Sequence, residues 1–342
     1  MQVDVCDLKQ ACFELDMWAE GTCDERDMCT GKTYDQTDMQ AEEICKMKRQ
    51  VDWNGMCNEM RVGMSINIFK DTMAEMTYEQ IEELVQKEAI VLFPVGIIEE
   101  HGPHLPLGTD IYLAYEQAHD VFEMLKEAGT ESVIAPPFYL GGVQALTRHF
   151  PGTFAFSRDT IIFCVTEYLG NLDRFGFKRV IFFNDHGDEL HIAAMVEAIR
   201  KSNQSTKLKA YWMEYEYELR EHGFDGSEDY ILKLTTVPFE NMFKINQMPA
   251  DEFDVHAGAF ETATMREICP ECIREEKLEQ LKPTFLKGEQ IMKWCQGEKE
   301  DQNLIPGGYV GDPAGSRYVE TRLRDADRQI AQDIINAFGK EK

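Results

Sequence analysis

Positive charge is scarce in this sequence: 35 Lys and Arg stand against 62 Asp and Glu, a formal charge of −27. Such a field repels phosphate backbones and anionic lipid, so nucleic-acid and membrane-surface roles are disfavoured. No apolar run approaches the ~20 residues that span a bilayer. The start, MQVDVCDLKQACFELD, has neither a basic segment nor the apolar stretch of a secretion signal, so the expected location is cytoplasmic. A second CxxC pair is also missing. Cys269 and Cys272 form the only one, which leaves a tetrahedral zinc site incomplete and reads instead as a helix end. Internal repeats and low-complexity tracts are absent, which excludes repeat architectures.

Cysteine itself is plentiful. Six of the ten (Cys6, Cys12, Cys23, Cys29, Cys45, Cys57) lie in the first 62 residues, and without a secretion signal they read as free thiols. Residues 1–65 form an acidic, Cys- and Met-rich appended segment, a lid or an oligomer contact, with Trp53 and Arg61 as its plausible contributors. Residues 66–342 form the main domain. With 43% hydrophobic residues over 342 positions, the chain can bury a substantial core. TYEQIEELVQKE has helical spacing, AIVLFPVG fits a buried strand, and DIYLAYEQAHDVFEMLKEAG reads as a helix. A strand (SVIAPPFYL), a helix (RDTIIFCVTEYLGNLDRFG), a strand (KRVIFFN) and DHGDELHIAAMVEAIRKS follow. Strands alternating with long helices predict a three-layer α/β/α fold with a mainly parallel sheet. Ligands in such folds sit beyond the carboxyl ends of the strands.

Polar residues gather at those ends. The stretch FPVGIIEEHGPHLPLGTD carries Glu99, Glu100, His101, His104 and Asp110 in a loop too rich in Pro and Gly to be a helix. NDHGDE follows the apolar VIFF with His186, Asp188 and Glu189, and DVHAGAFET holds His256 and Glu261. Imidazole nitrogens and carboxylate oxygens are the donors that zinc or manganese takes, and a carboxylate can bridge two ions. Two ions ~3.5–4 Å apart turn water into a nucleophile at neutral pH. Each piece also has a plainer reading: Asp110 as a helix N-cap, His101 and His104 bonded to their own loop, His256 as a helix-start contact.

Taken together, PVGxxExHGPHLPLGTD, the FPGT after His149, the NxHGx strand end, DxHAGxxET and the closing GxxGDP resemble the creatininase (creatinine amidohydrolase) family from about residue 70 to 335. The resemblance implies a creatininase-like three-layer fold, two divalent metal ions (Zn, Mn or Fe) and a homo-oligomer, usually a hexamer. It implies Glu99, His101, Asp110, His186, Asp188 and Glu261 as metal ligands, with Asp110 bridging, and His256 as the proton shuttle. Asp188 stands where creatininase proper has Glu, and Gly187 and Glu252 stand where it has aromatic residues beside its substrate. Creatinine is therefore not the expected substrate. Arg148 and His149, with Gly187 and Glu252, are the candidate substrate contacts. The expected activity is metal-dependent hydrolysis of a small polar cyclic amide or related C–N bond by metal-activated water. The alternatives are ring-opening C–C hydrolysis of a keto-inositol or keto-sugar such as 3-dehydro-scyllo-inosose, and a non-catalytic metal-binding oligomer.

Overall fold

The computed structural model describes residues 66–219, 223–247 and 254–339; the proposed appended segment, with Trp53 and Arg61, lies outside them. Five parallel strands form the main sheet: β1 (Ile90–Val95), β2 (Ser132–Ile134), β3 (Arg179–Asn184), β4 (Lys209–Tyr215) and β5 (Ile231–Leu234), in the order β2-β1-β3-β4-β5. A short antiparallel pair, β6 (Phe243–Ile245) with β7 (Val319–Thr321), lies apart from it.

Alternation along the strands builds the layers. In β1, Val91, Phe93 and Val95 join one core while Ile90 and Leu92 join another. Side chains of a strand alternate between faces, so a strand apolar at every position must be covered on both. Helices α1 (Tyr78–Gln86), α3 (Arg158–Phe175) and α4 (Glu189–Ser205) cover the first face through Ile81, Ile161, Val165, Met195 and Ile199. Helices α2 (Thr109–Glu127) and α7 (Leu323–Phe338) cover the second through Ala118, Val121, Leu125, Ile330 and Ile334. The sequence patterns place β1, β2, β3, α1, α2 and α3 and lead into α4, but they do not place β4, β5 or α7, and SVIAPPFYL shortens to three strand residues.

Two further helices build the rim, α5 (Ala259–Ile268) and α6 (Glu289–Gln296). Cys269 is the C-cap of α5, as the CxxC pattern suggests, and it is joined to Cys272 by a disulfide. Among the described residues, no helix is long and apolar enough to cross a membrane.

The strand order fixes where a ligand can enter. From β1 the chain crosses one way to β2 and then returns to place β3 on β1's other side. The carboxyl ends of β1 and β3 thus part at a crevice, the switch point where such sheets bind ligands. Val95 and Asn184, their last residues, are register partners, so the loops carrying the two polar motifs start at one level.

Candidate metal centre

Three loops meet in this crevice. The first runs from β1 to α2 and is braced at several points. Glu99 N–H donates to the Leu107 carbonyl (2.8 Å) and Glu100 N–H to the Thr153 hydroxyl (3.0 Å), which itself donates to the Thr147 carbonyl (3.0 Å). The FPGT motif is therefore a buttress for the residues beside it. Gly96 lets the end of β1 approach the start of α2, because an added Cβ would lie 3.3 Å from the Asp110 backbone. Asp110 is accordingly not the N-cap; Gly108 takes that position, and the Asp110 carboxylate turns into the crevice. The third loop, around His256, pairs with the GxxGDP motif: Val310 N–H donates to the His256 carbonyl at 2.8 Å. Ala257 bends this loop with a left-handed φ of 48°, and its N–H donates to the Glu261 carboxylate (2.6 Å).

Two clusters result. Glu99, Asp110 and His186 converge in one, and His101, His256 and Glu261 in the other, each with ligand atoms within 4.8 Å of one another. Asp110 spans them. Its Oδ1 lies 2.9 Å from His101 Nε2 and its Oδ2 lies 3.1 Å from His186 Nδ1, one carboxylate oxygen for each cluster. Glu99 Oε2 and Asp110 Oδ2 are buried without a hydrogen-bond partner. Leaving such oxygens unpaired costs about 1–3 kcal/mol each or more, whereas a cation would satisfy them.

Backbone carbonyls orient all three imidazoles. His101 Nδ1 donates to the Glu99 carbonyl (3.0 Å), His186 Nε2 to the Gly142 carbonyl (3.0 Å) and His256 Nε2 to the Glu100 carbonyl (2.8 Å). A carbonyl can only accept, so each ring donates there, and His101 and His186 turn their other nitrogen to Asp110. This is how proteins preset histidines for a metal. The donor chemistry, the orphaned oxygens and the tautomers all fit a pair of divalent ions.

The electrostatics reflect the same crowding. Burial raises the Glu99 carboxyl and pushes those of Glu100 and Glu261 up to about 8. Burial acts on Asp110 in the same sense, but His101 and His186 outweigh it and hold its carboxyl well below the usual range. Burial opposes charge on His186 too, yet Glu99 and Asp110 lift it to about 10. His256, buried beside His101, is lowered to about 3 and stays neutral.

The remaining expected residues have other surroundings. Asp188 lies in neither cluster, in contrast to its expected ligand role. Its Oδ1 accepts from Leu190 and His191 N–H as the N-cap of α4, and its Oδ2 accepts from Gln144 (2.8 Å) and Ala145 (3.1 Å). Four backbone donors occupy this short carboxylate, while His256, expected only as a proton carrier, joins the second cluster. His149 Nε2 donates to the Gly297 carbonyl (2.7 Å), tying the end of α6 to the FPGT loop. Arg148 is exposed, Gly187 faces open space, and Glu252 lies outside the described residues. His104 bonds Thr262 (2.9 Å) and Glu100 accepts from Gly102 N–H (3.0 Å), both outside the clusters. Sequence reading missed Trp294 of α6, whose ring stands 6.4 Å from that of His256, and Asp185, which is solvent-exposed between β3 and His186. The Asp185 carboxyl is raised to about 7 by the surrounding protein and by Asp110. Its place directly before a candidate ligand was the available signal.

Gly308 exposes the tolerance of this packing. It has φ 71°, and an added Cβ would run into the buried Glu100 carboxylate. Gly308→Ala is expected to lower the free energy of unfolding by about 2–4 kcal/mol, combining left-handed strain with overpacking, as read by urea denaturation.

A family model described as creatinine amidohydrolase, Creatininase, matches residues 74–321. The chain belongs to the creatininase family. It is 28% identical over 211 residues to a mycofactocin precursor peptide peptidase from Mycolicibacterium smegmatis, covering 61% of this chain and 69% of that one. It is 29% identical over 126 residues to a 3-dehydro-scyllo-inosose hydrolase from Thermotoga maritima, covering 37% and 39%. A solved structure of creatininase with Mn aligns with TM-score 0.56 and 20% identity, over 79% of this chain and 99% of that one, which supports the shared creatininase fold.

Proposed function

We propose that this creatininase-family protein is a binuclear metal hydrolase that cleaves an amide-type C–N bond in a small polar substrate, a cyclic amide above all. The observation that carries this reading is the Asp110 carboxylate, which gives one oxygen to each of two ligand clusters. Glu99, Asp110 and His186 would hold one ion, and His101, His256 and Glu261 the other. Bound divalent ions supply a water acidic enough to attack at neutral pH and polarise the substrate carbonyl. The chain's own groups do the rest. With Nε2–H committed to the Glu100 carbonyl, His256 has one basic atom left, Nδ1, and that is the atom that would hold the second ion. Glu261, with 27% of its side chain exposed, stands where a substrate can reach it.

Gly187 offers no stacking surface to a flat ring such as creatinine, so creatinine is not the proposed substrate. A second reading, hydrolytic ring opening of a keto-inositol, draws support from the likeness to the Thermotoga maritima hydrolase over 126 residues.

Incubating the protein with cyclic amides and keto-inositols, and following mass gain of one water, tests both. A new amine or carboxylate from a lactam supports C–N cleavage, and water gain only from keto-inositols favours the second reading. Purified protein is expected to carry about two metal ions per chain, and chelation to abolish turnover until Mn or Zn is restored. Full turnover by the stripped protein would overturn the proposal.

A further inference from the structure

We propose that His191 is a positioning residue for the metal centre: it fixes the Gly142 carbonyl against which His186 aims its Nδ1 at the ion shared with Glu99 and Asp110. This rests on the metal-hydrolase reading above. His191 belongs to neither cluster; it lies in the first turn of α4 and is fully buried. Long side chains of a helix lean back over the preceding turn. The His191 imidazole accordingly stands edge to face with that of His186, 5.0 Å between ring centres. Hydrogen bonds then close a circuit through three segments of the chain. His186 Nε2 donates to the Gly142 carbonyl (3.0 Å), Gly142 N–H to His191 Nδ1 (3.4 Å), His191 Nε2 to Asn184 Oδ1 (3.0 Å), and Asn184 Nδ2 back to the His186 carbonyl (2.9 Å). A peptide N–H only donates and a carbonyl only accepts, so His191 is bare at Nδ1 and protonated at Nε2.

His186 depends on this circuit more than the other imidazoles depend on theirs. The Glu99 and Glu100 carbonyls that steady His101 and His256 sit in the loop pinned at Leu107 and Thr153. Gly142 lies outside that loop, and its N–H goes to His191. The strip beside it is wedged: a Cβ on Gly141 would come 2.6 Å from the Gly96 carbonyl and 2.9 Å from His191 Nδ1. On its other side, His186 Nδ1 is 3.3 Å from Glu99 Oε2 and 3.1 Å from Asp110 Oδ2. A proton on Nδ1 would make a charge-assisted bond to either carboxylate, stronger than the neutral bond to a carbonyl, and would exclude the ion. The circuit opposes that tautomer by keeping the Gly142 oxygen in place as the acceptor for Nε2–H. Asp188 ties Gln144 and Ala145 to the same turn of α4, so loss of His191 frees the anchor without detaching the strip.

Manganese binding to the full chain, stripped by a chelator and titrated calorimetrically, tests this without reference to turnover. Wild-type protein is expected to bind about two ions per chain, and His191→Ala to weaken one of them roughly 10- to 100-fold while leaving the other within about threefold. Double variants identify which ion is affected. Added to Glu99→Gln, which disables the same site, His191→Ala should shift the remaining ion by less than about threefold; added to Glu261→Gln, it should weaken the remaining ion by the full roughly 10- to 100-fold. His191→Gln, whose amide offers both an acceptor and a donor, should recover most of the loss. A merely structural histidine would lower stability without choosing between the ions. Equal weakening of both, weakening of neither, the reverse pattern in the double variants, or no recovery by His191→Gln overturns the proposal. If His191→Ala does not fold, Asn184→Ala breaks the circuit at its other side chain and is held to the same pattern. Wild-type protein that binds no manganese would sink the metal-hydrolase reading and this proposal with it; two ions untouched by the His191 variants would sink this proposal alone.

Discussion

Asp110→Asn is expected to strip both metal ions from the protein and to lower turnover by about a thousandfold or more, with the circular dichroism spectrum unchanged. The reasoning starts from the two oxygens. Oδ1 faces His101 Nε2 and Oδ2 faces His186 Nδ1, so Asp110 reaches from its own cluster to the other. An amide has the same shape but only one oxygen. Its N–H can donate to whichever imidazole nitrogen it meets, since both rings hold their own proton on the far side. That contact preserves the loop while removing the acceptor an ion needs. Glu99→Gln makes the contrast: Glu99 serves one cluster, so this variant should retain about one ion per chain. Metal analysis after gel filtration reads both, and two ions retained in Asp110→Asn would show that the centre lies elsewhere.

Most of the fold was legible because apolar runs declare themselves. VIFF has no polar residue because β3 is covered on both faces, and the helical spacing of TYEQIEELVQ matches the Thr77-capped α1. Five of the six expected ligands, Glu99, His101, Asp110, His186 and Glu261, come together in the clusters. The family resemblance implied them, through the short motifs at strand and helix ends in which each sits. Asp188 shows where that reasoning stops. Nothing in NDHGDE reveals that Gln144 and Ala145 N–H groups, more than 40 residues away, will occupy the carboxylate. Trp294 reaches His256 from a helix with no motif, and the tautomer of His256 depends on a carbonyl 156 residues earlier. Long-range hydrogen bonds of this kind leave no local period or spacing behind.

The same limit hides a stability effect: Asp327→Asn is expected to stabilise the protein by several kcal/mol at pH 8 and by almost nothing at pH 4. Asp327 is buried on the inner side of α7, and burial, with Asp120 adding to it, raises its carboxyl to about 8. The groups that face it are Gln117 and Asp120 on α2, Arg324 on its own helix, Asp185 after β3 and Tyr215 at the end of β4. In the unfolded chain an aspartate titrates near about 3.9. Between these two values the folded state holds a proton that the unfolded state has released. The folded state thus binds more protons, so its stability falls as pH rises from about 4 to about 8 and levels off above. This is the reverse of a salt-bridged aspartate, whose stabilisation grows with pH. Asparagine stays neutral throughout and keeps a hydrogen bond to Gln117 within reach, so it removes the slope without emptying the site. Urea denaturation at pH 5 and pH 8, at one ionic strength and fixed metal content, measures it. The wild-type protein should lose more stability between the two than the variant does. Parallel losses would mean that Asp327 is ionised in the folded protein.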